Sequence, residues 1–270
     1  MPDNAPSSSL DGWVKSPFSG AGLTYDCYEK GAGPGVVLIP EIPGITPEVL
    51  GLADHLVGEG FTVVIPSPFG TTGKAESNAY TLGVVARVCV SAEFRAFAVD
   101  AKRPITAYLR AVAADLATRT PGRGVGVIGM CFTGGFALAT AIEPSVLAPV
   151  MSQPSTPLPL SASRRRDPGL SRDELAQVVE RTRTDGLCVL GLRFSGDRLA
   201  PKERFATLRE HLGDAFEVIE LDSGSCNSGG FAKTAHSVLT RDLRDTPGHP
   251  ALEARTRTVT FLRQHLDPTP

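Results

Sequence analysis

Charge imbalance, paired cysteines and long apolar runs are all missing from this chain. Its 270 residues carry 27 Lys and Arg against 29 Asp and Glu, and a net charge of −2 gives no electrostatic reason to expect nucleic-acid or membrane partners. Its five cysteines are odd in number and include no CxxC pair. That pattern argues against a disulfide framework and against a zinc site.

The amino terminus and the hydropathy pattern bear on where the protein works. Residues 1–9 lack the basic and apolar parts of a secretory signal, and no uninterrupted apolar run reaches the length that spans a membrane. Unpaired cysteines are typical of a reducing compartment. We therefore expect a soluble, cytoplasmic protein, and the sequence does not indicate its oligomeric state.

Apolar segments of strand length alternate with helical segments after residue 28. Strands are predicted at 36–40, 62–66, 124–128, 146–151, 187–194 and 216–221. Helices are predicted at 47–57, as one long helix within 80–118, and at 136–142, 171–183, 201–212 and 250–266. This alternation predicts a mostly parallel sheet with helices on both faces. Residues 1–10 are expected to form a flexible leader, and residues 11–270 a single domain that opens with a β-rich segment.

One glycine-rich segment follows a predicted strand and carries a cysteine at its centre. The segment is Gly129-Met-Cys-Phe-Thr-Gly-Gly135, and it leads into an apolar helix. A nucleophile on a sharp turn from strand to helix needs small neighbours, because larger side chains would collide with the strained backbone. The segment therefore indicates a nucleophile elbow with Cys131 at its tip, although Thr133 stands where the pattern has a glycine. The alternative is a buried, inert thiol.

Two further loops carry residues that would complete a catalytic triad. Asp197 lies in Ser195-Gly-Asp after one predicted strand, and His236 lies in Ala235-His-Ser after the next. Considered alone, Asp197 could equally be the cap of the following helix, and His236 could equally be a surface loop residue. The order nucleophile, acid, histidine is the one that an α/β-hydrolase requires, and it favours the triad.

A carboxylate is predicted at the same edge of the sheet. Glu41 lies in Pro40-Glu-Ile-Pro-Gly44, directly after the first core strand. The carboxyl ends of parallel strands border the crevice where such sheets bind ligands. A glutamate there is either an acceptor for the proton of the thiol or a solvated loop residue. The backbone amides of Ile42 and Phe132 are the expected oxyanion hole.

Together these segments resemble the dienelactone hydrolase family, which comprises cysteine hydrolases with the α/β-hydrolase fold. The resemblance rests on residues 40–44, 129–135, 195–197 and 235–237 and extends from the first core strand to the last helix. It implies a hydrolase of small activated esters or lactones that forms a thioester on Cys131. It also implies that Glu41 holds the resting thiol neutral until substrate arrives, and it implies neither a metal nor an organic cofactor.

Several residues are candidates for substrate binding. In the family, an arginine that binds a substrate carboxylate lies four residues after the histidine; Thr240 occupies that position here, and Arg241 follows it. Arg87 and Arg95 are both candidates for a second arginine, and Phe69 is a candidate for the pocket wall. A small ester that is not anionic is therefore as consistent with the sequence as an anionic lactone.

Two other functions are compatible with this fold. A non-catalytic homologue that binds a small ligand would be expected to lack a member of the triad, and none is missing. An acyltransferase would need a pocket that excludes water and admits a second acceptor. The Pro- and Ser-rich stretch at 153–163 is either part of the substrate wall or a plain surface connection.

Overall fold

A sheet of eight strands runs through the part of the protein that the computed structural model describes, residues 5–95, 98–156 and 161–267. The strands are β1 (Val14–Gly20), β2 (Leu23–Lys30), β3 (Gly35–Ile39), β4 (Thr62–Pro66), β5 (Val125–Met130), β6 (Val146–Ser152), β7 (Val189–Phe194) and β8 (Phe216–Leu221). Their order across the sheet is β1-β2-β4-β3-β5-β6-β7-β8. Strand β2 is antiparallel to β1 and β4, whereas neighbours from β4 to β8 are parallel. The predicted mostly parallel sheet is confirmed.

Helices connect the parallel strands and cover both faces of the sheet. They are α1 (Pro47–Gly58), α2 (Asn78–Val90), α3 (Pro104–Arg119), α4 (Gly134–Thr140), α5 (Ala162–Arg166), α6 (Arg172–Thr184), α7 (Lys202–Leu212) and α8 (Pro250–Leu266). One apolar core includes residues of α2, α3, α4, α6 and α7, and the other includes residues of α1 and α8. Within β3, Val37 and Ile39 enter the first core and Val36 and Leu38 the second, because side chains alternate across a strand.

The predicted strands are confirmed with small shifts at their ends, but the single long helix within 80–118 is wrong. The chain forms α2 and α3 there, separated by residues 91–103. The break follows from Pro104, which forces an extended backbone on the residue before it. Arg103 is extended, with φ −112° and ψ 127°, and α3 begins at Pro104. Helix α5 is also additional, since it overlaps a stretch predicted as loop.

The predicted leader contacts the first helix where the structure describes it. The backbone N–H of Ser8 donates to the carbonyl of Pro47 at 2.9 Å, and the Ser8 hydroxyl donates to the Asp54 carboxylate. Residues 1–4 lie outside the described residues, and the division at residue 10 stays a prediction. None of the helices in the described ranges is long and apolar enough to cross a membrane.

A buried threonine joins the turn after β5 to the end of β3. The Thr133 hydroxyl accepts from the backbone N–H of Met130 at 2.9 Å. The same hydroxyl lies 3.2 Å from the carbonyl oxygen of Ile39 and 3.3 Å from that of Pro40. A glycine at this position would provide none of these contacts. Thr133 therefore fixes the turn that carries Cys131 against the loop that carries Glu41.

We predict that Thr133→Val lowers the free energy of unfolding by about 1–3 kcal/mol, because the buried amide of Met130 loses its acceptor. The matched control is Thr140→Val. Thr140 is as fully buried, but its hydroxyl donates within its own helix to the carbonyl of Phe136 at 2.7 Å. Urea unfolding of both variants measures the difference. An equal loss in the two variants would contradict a special role for Thr133.

Candidate active site

The cysteine turn has the strained backbone of a nucleophile elbow. Cys131 directly follows β5 and has φ +54°, in the left-handed region that non-glycine residues seldom adopt. A Cβ atom at Gly129 would lie 2.3 Å from the carbonyl oxygen of Thr133, and one at Gly135 would lie 2.9 Å from the Cα of Gly169. Both glycines are therefore required by close backbone contacts, and the half-buried thiol is presented at the carboxyl end of the strand.

Asp197 and His236 form a hydrogen-bonded pair. Nδ1 of His236 lies 2.7 Å from Oδ2 of Asp197, and both side chains are buried. The other carboxylate oxygen, Oδ1, accepts from the backbone N–H of Leu199 at 2.9 Å. The cap position of α7 is Pro201, which provides no side-chain cap. Asp197 therefore fixes the orientation of the imidazole, and it does not cap the helix.

The loop that carries the histidine is held by an acid that sequence reasoning missed. The backbone N–H groups of His236 and Ser237 both donate to Oδ2 of Asp242, each at 2.9 Å. These two hydrogen bonds to one carboxylate fix the backbone of the loop at His236, the residue that carries the imidazole. An acidic residue shortly after the histidine was the one sequence signal for this role.

The charge state of His236 is set by its neighbours. Burial disfavours a charge on the ring, but the interactions with Cys131 and Asp197 outweigh burial and raise the pKa of His236 well above its ordinary value. Because Nδ1 is paired with Asp197, the buried Nε2 is the ring nitrogen on the side of Cys131. This nitrogen is therefore available to the nucleophile and to a reacting group.

A cavity of about 260 Å³ brings the predicted catalytic residues together. Six catalytic and oxyanion residues are predicted at this edge, and all of them except Asp197 line the cavity. The five lining residues are Glu41, Ile42, Cys131, Phe132 and His236. Helix α2 contributes Thr81, Val85, Val88 and Cys89 on the opposite side. Such a cavity suits a small organic ligand. Among the described residues, no group of three His, Cys, Asp or Glu side chains is arranged to hold a metal ion.

Glu41 is buried and accepts hydrogen bonds from three residues. Its Oε1 accepts from the Thr240 hydroxyl, and its Oε2 accepts from the Ser237 hydroxyl at 2.9 Å and from Nε2 of Gln153 at 3.2 Å. Glu41 is therefore not a solvated loop residue. Thr240 stands where the family has an arginine, and its side chain is directed at Glu41 and not at a substrate.

Gln153 is a second residue that sequence reasoning missed, because a glutamine carries no catalytic signal of its own. It follows β6 with φ +35°, and its backbone N–H donates to the carbonyl of Leu192 at 2.7 Å. Its Oε1 accepts from the backbone N–H of Val238 at 3.3 Å, while its Nε2 donates to Glu41. One fully buried side chain thus connects the ends of β3 and β6 with the histidine loop.

The predicted oxyanion residues lie on two turns beside the thiol. Ile42 and Phe132 both line the cavity with Cys131. The turn that carries Ile42 is closed by the backbone N–H of Gly44, which donates to the carbonyl of Glu41 at 2.7 Å. Both residues thus lie at the cavity where an oxyanion hole is expected, and this role of their amides stays a prediction.

The structure brings one of the four predicted substrate-binding residues to the cavity. Arg241 lines it, and its Nη1 lies 2.9 Å from both carboxylate oxygens of Glu76. Arg87 is wrong, because it is exposed on α2, away from the face formed by the four lining residues of that helix. Arg95 is also wrong, because it is exposed and its Nη1 donates to the carbonyl of Lys102 at 3.1 Å.

Phe69 belongs to the apolar core and not to the cavity wall. Its ring packs edge-on against Phe94, with 5.7 Å between the ring centroids, and Phe94 in turn packs on Phe132. The wall instead includes Ser155 and Thr156, from the Pro- and Ser-rich stretch. Ser155 and Thr156 of that stretch therefore line the cavity, residues 162–163 begin α5 after its cap at Ser161, and residues 157–160 lie outside the described residues.

A buried arginine holds this wall in place. Arg204 of α7 donates to the carbonyl of Pro154, and its Nη2 donates to the Thr156 hydroxyl at 2.7 Å. Burial lowers the pKa of Arg204 to about 10, although the charges of Asp167 and Asp197 act in the opposite direction. The guanidinium remains charged at neutral pH. It therefore supports the wall by charge-assisted hydrogen bonds without facing the cavity itself.

Solved structures show the same fold. A dienelactone hydrolase-like promiscuous phosphotriesterase from metagenomic libraries has a TM-score of 0.61 and 16% identity, over 94% of this chain and 98% of the other. A dienelactone hydrolase from Anabaena variabilis ATCC 29413 has a TM-score of 0.58 and 13% identity, over 94% and 98%. An esterase from Pyrococcus furiosus has a TM-score of 0.56 and 15% identity, over 97% and 99%. The chain thus has the α/β-hydrolase fold.

Sequence comparison identifies the family. No curated protein sequence matches the chain significantly. The sequence profile of the dienelactone hydrolase family, in contrast, matches residues 23–169. That match spans more than half of the chain and includes the glutamate turn after β3 and the cysteine elbow after β5. The chain therefore belongs to the dienelactone hydrolase family.

Proposed function

We propose that this protein is a cysteine hydrolase of small activated esters or lactones. The observation that carries the proposal is the placement of Cys131, on a strained elbow, in one cavity with His236, whose ring is oriented by Asp197. A nucleophile, a base and an orienting acid in this relation support acyl transfer. The complete triad favours a catalyst over a homologue that only binds a ligand.

The reaction proceeds through a thioester. The Cys131 sulfur attacks the carbonyl carbon, and the amides of Ile42 and Phe132 stabilise the oxyanion. His236 takes the proton of the Cys131 thiol as the sulfur attacks, and it gives this proton to the departing oxygen when the carbon–oxygen bond of the leaving group breaks. His236 then takes a proton from water, which attacks the thioester and releases the acid and the free thiol. A thiolate leaves more readily than most alkoxides, so activated esters and lactones are the expected substrates.

The cavity limits the acyl group to a small one. Its volume of about 260 Å³ lies near the low end of ligand sites. The wall from α2 is apolar at Val85 and Val88, which suits an apolar acyl chain. The charge of Arg241 is paired with Glu76. A neutral acyl group therefore fits this cavity at least as well as an anionic one.

We assign Glu41 a positioning role in this reaction. Its three donors come from the end of β6 and from the loop that carries His236. The carboxylate thus holds the histidine loop against the sheet. The role that the family resemblance implies, in which Glu41 keeps the resting thiol neutral, stays a proposal that the same variant tests below.

The first prediction uses two cysteines that line one cavity. Cys131→Ala is expected to lower hydrolysis of 4-nitrophenyl acetate by about a thousandfold or more, because the nucleophile is lost. Cys89→Ala is the matched control and is expected to retain activity, because Cys89 lies on α2, apart from the triad. Intact-mass and peptide mapping after brief exposure to the ester should find the acetyl group on Cys131. Acetylation of Cys89 with unchanged turnover in Cys131→Ala would refute the mechanism.

The second prediction concerns the pKa of His236. In the wild type the imidazolium is expected to persist above the ordinary histidine pKa of about 6.5 and to be lost as the pH rises through the raised value. Cys131→Ala removes the interactions with the sulfur that raise the pKa of His236, so the pKa is expected to fall. NMR titration of the histidine rings measures the shift. The same titration curve in the two proteins would show that Cys131 does not act on His236.

The third prediction separates the two roles of Glu41. Glu41→Gln places an amide donor among three donors and is expected to lower the free energy of unfolding by about 1–3 kcal/mol. The looser histidine loop should also shift the pH profile of Cys131 alkylation by iodoacetamide. Glu76→Gln, in the same cavity but paired with Arg241, should change neither. A shifted alkylation profile with unchanged stability would favour thiol gating over positioning.

A further inference from the structure

A second cavity opens on the other side of the catalytic histidine. It has a volume of about 620 Å³ and lies between the loops that follow β7 and β8. Its lining residues are Ser195, Gly196, Asp197, Arg198, Leu199, Ser223, Gly224, Ser225, Lys233, Thr234 and His236. Leu199 and His236 line both cavities. The two cavities therefore meet at the catalytic base.

The lining of this second cavity carries two cationic side chains and one carboxylate, Asp197, whereas the lining of the first carries one cation, Arg241, and two carboxylates, Glu41 and Glu76. Arg198 and Lys233 line it, and neither forms an ion pair with a carboxylate in the ranges that the structure describes. The Asp197 carboxylate is already bonded to His236 and to the backbone N–H of Leu199. In the first cavity, by contrast, Arg241 is paired with Glu76. An anion is thus attracted to the second cavity more strongly than to the first.

The floor of this cavity is polar and close to the backbone. The backbone N–H of Gly196 donates to the Ser223 hydroxyl at 2.9 Å, and a Cβ at Gly196 would lie 2.9 Å from that oxygen. The nearby carboxylate of Asp222 accepts from the Ser195 hydroxyl at 3.3 Å and from the backbone N–H of Gly224 at 2.8 Å. The hydroxyl groups of Ser225 and Thr234 also line the cavity, and they can donate hydrogen bonds to an anionic group of a ligand.

The reaction geometry decides which half of a substrate enters this cavity. The acyl carbon must lie beside Cys131 and the amides of Ile42 and Phe132, which line the first cavity. The leaving oxygen must come within hydrogen-bond distance of His236 to receive its proton. His236 is where the second cavity begins. The alcohol half of the ester therefore extends from His236 toward Arg198 and Lys233.

We propose that the second cavity binds an anionic group, a carboxylate or a phosphate, on the leaving alcohol of the substrate. This inference rests on the proposed ester hydrolysis and names its substrate class: a small neutral acyl group joined to an anionic alcohol. The bonds that form and break are those of the thioester mechanism. The anionic group itself takes no part in them and is bound through Arg198, Lys233 and the hydroxyl groups of the lining.

Kinetics with two matched acetates test the proposal. The probes are 4-acetoxybenzoate, whose leaving group carries a carboxylate, and phenyl acetate, which lacks it. The double variant Arg198→Gln and Lys233→Gln is expected to lower kcat/KM for 4-acetoxybenzoate about tenfold, mainly through KM, and to leave phenyl acetate within about twofold. Added salt should reduce the wild-type preference for the anionic ester. Lys202→Gln, exposed on α7 outside the cavity lining, is the control and should change neither rate.

A binding measurement keeps this test separate from the proposed activity. Calorimetry measures the affinity of the wild type and of the double variant for 4-hydroxybenzoate, the alcohol that the anionic probe would release. Weaker binding by the double variant supports the anion site even if neither acetate is hydrolysed, in which case the proposed activity alone fails. Equal losses on both acetates, or 4-hydroxybenzoate binding that is absent or unaffected by the double variant, would overturn the proposal.

Discussion

A buried carboxylate holds the catalytic edge of this protein together. Glu41, just after β3, accepts hydrogen bonds from Gln153 at the end of β6 and from Ser237 and Thr240 in the histidine loop. Burying a carboxylate costs free energy unless hydrogen-bond donors surround it. The end of β6 and the histidine loop are therefore both held in place by their hydrogen bonds to Glu41. The elbow is tied to this neighbourhood too, because Thr133 contacts the end of β3. The placement of Cys131 and His236 at this edge therefore depends on these contacts.

The charged side chains around the histidine are distributed unevenly between the two cavities. On the side of Cys131 the cavity is small, partly apolar, and its arginine is paired with Glu76. On the far side of His236 the cavity is larger and carries Arg198 and Lys233. Acyl transfer requires the two halves of an ester to lie on opposite sides of the scissile bond. In the reaction that we propose, the two cavities receive the two halves of the ester.

Sequence reasoning expected the three candidate triad residues at one edge of the sheet, and the structure brings them together there. Cys131 follows β5, Asp197 follows β7 and His236 comes after β8, and parallel strands bring their carboxyl ends to one edge. Sequence reasoning failed for Arg87, because the face of α2 that meets the cavity depends on packing, and for Arg95, because it lies between α2 and α3 and donates to the carbonyl of Lys102. It did not identify Gln153 and Asp242, whose roles come from backbone groups distant in sequence.

The sequence by itself determined the order of the strands and the mostly parallel sheet, and it proposed Cys131, Asp197 and His236 as a triad, because apolar periodicity and turn chemistry are local properties. Only the tertiary structure decided the contacts of Glu41, the pairing of Arg241 with Glu76 and the existence of two cavities that meet at His236. Each of these depends on side chains that are far apart in the chain and lie together because several loops converge at one edge of the sheet.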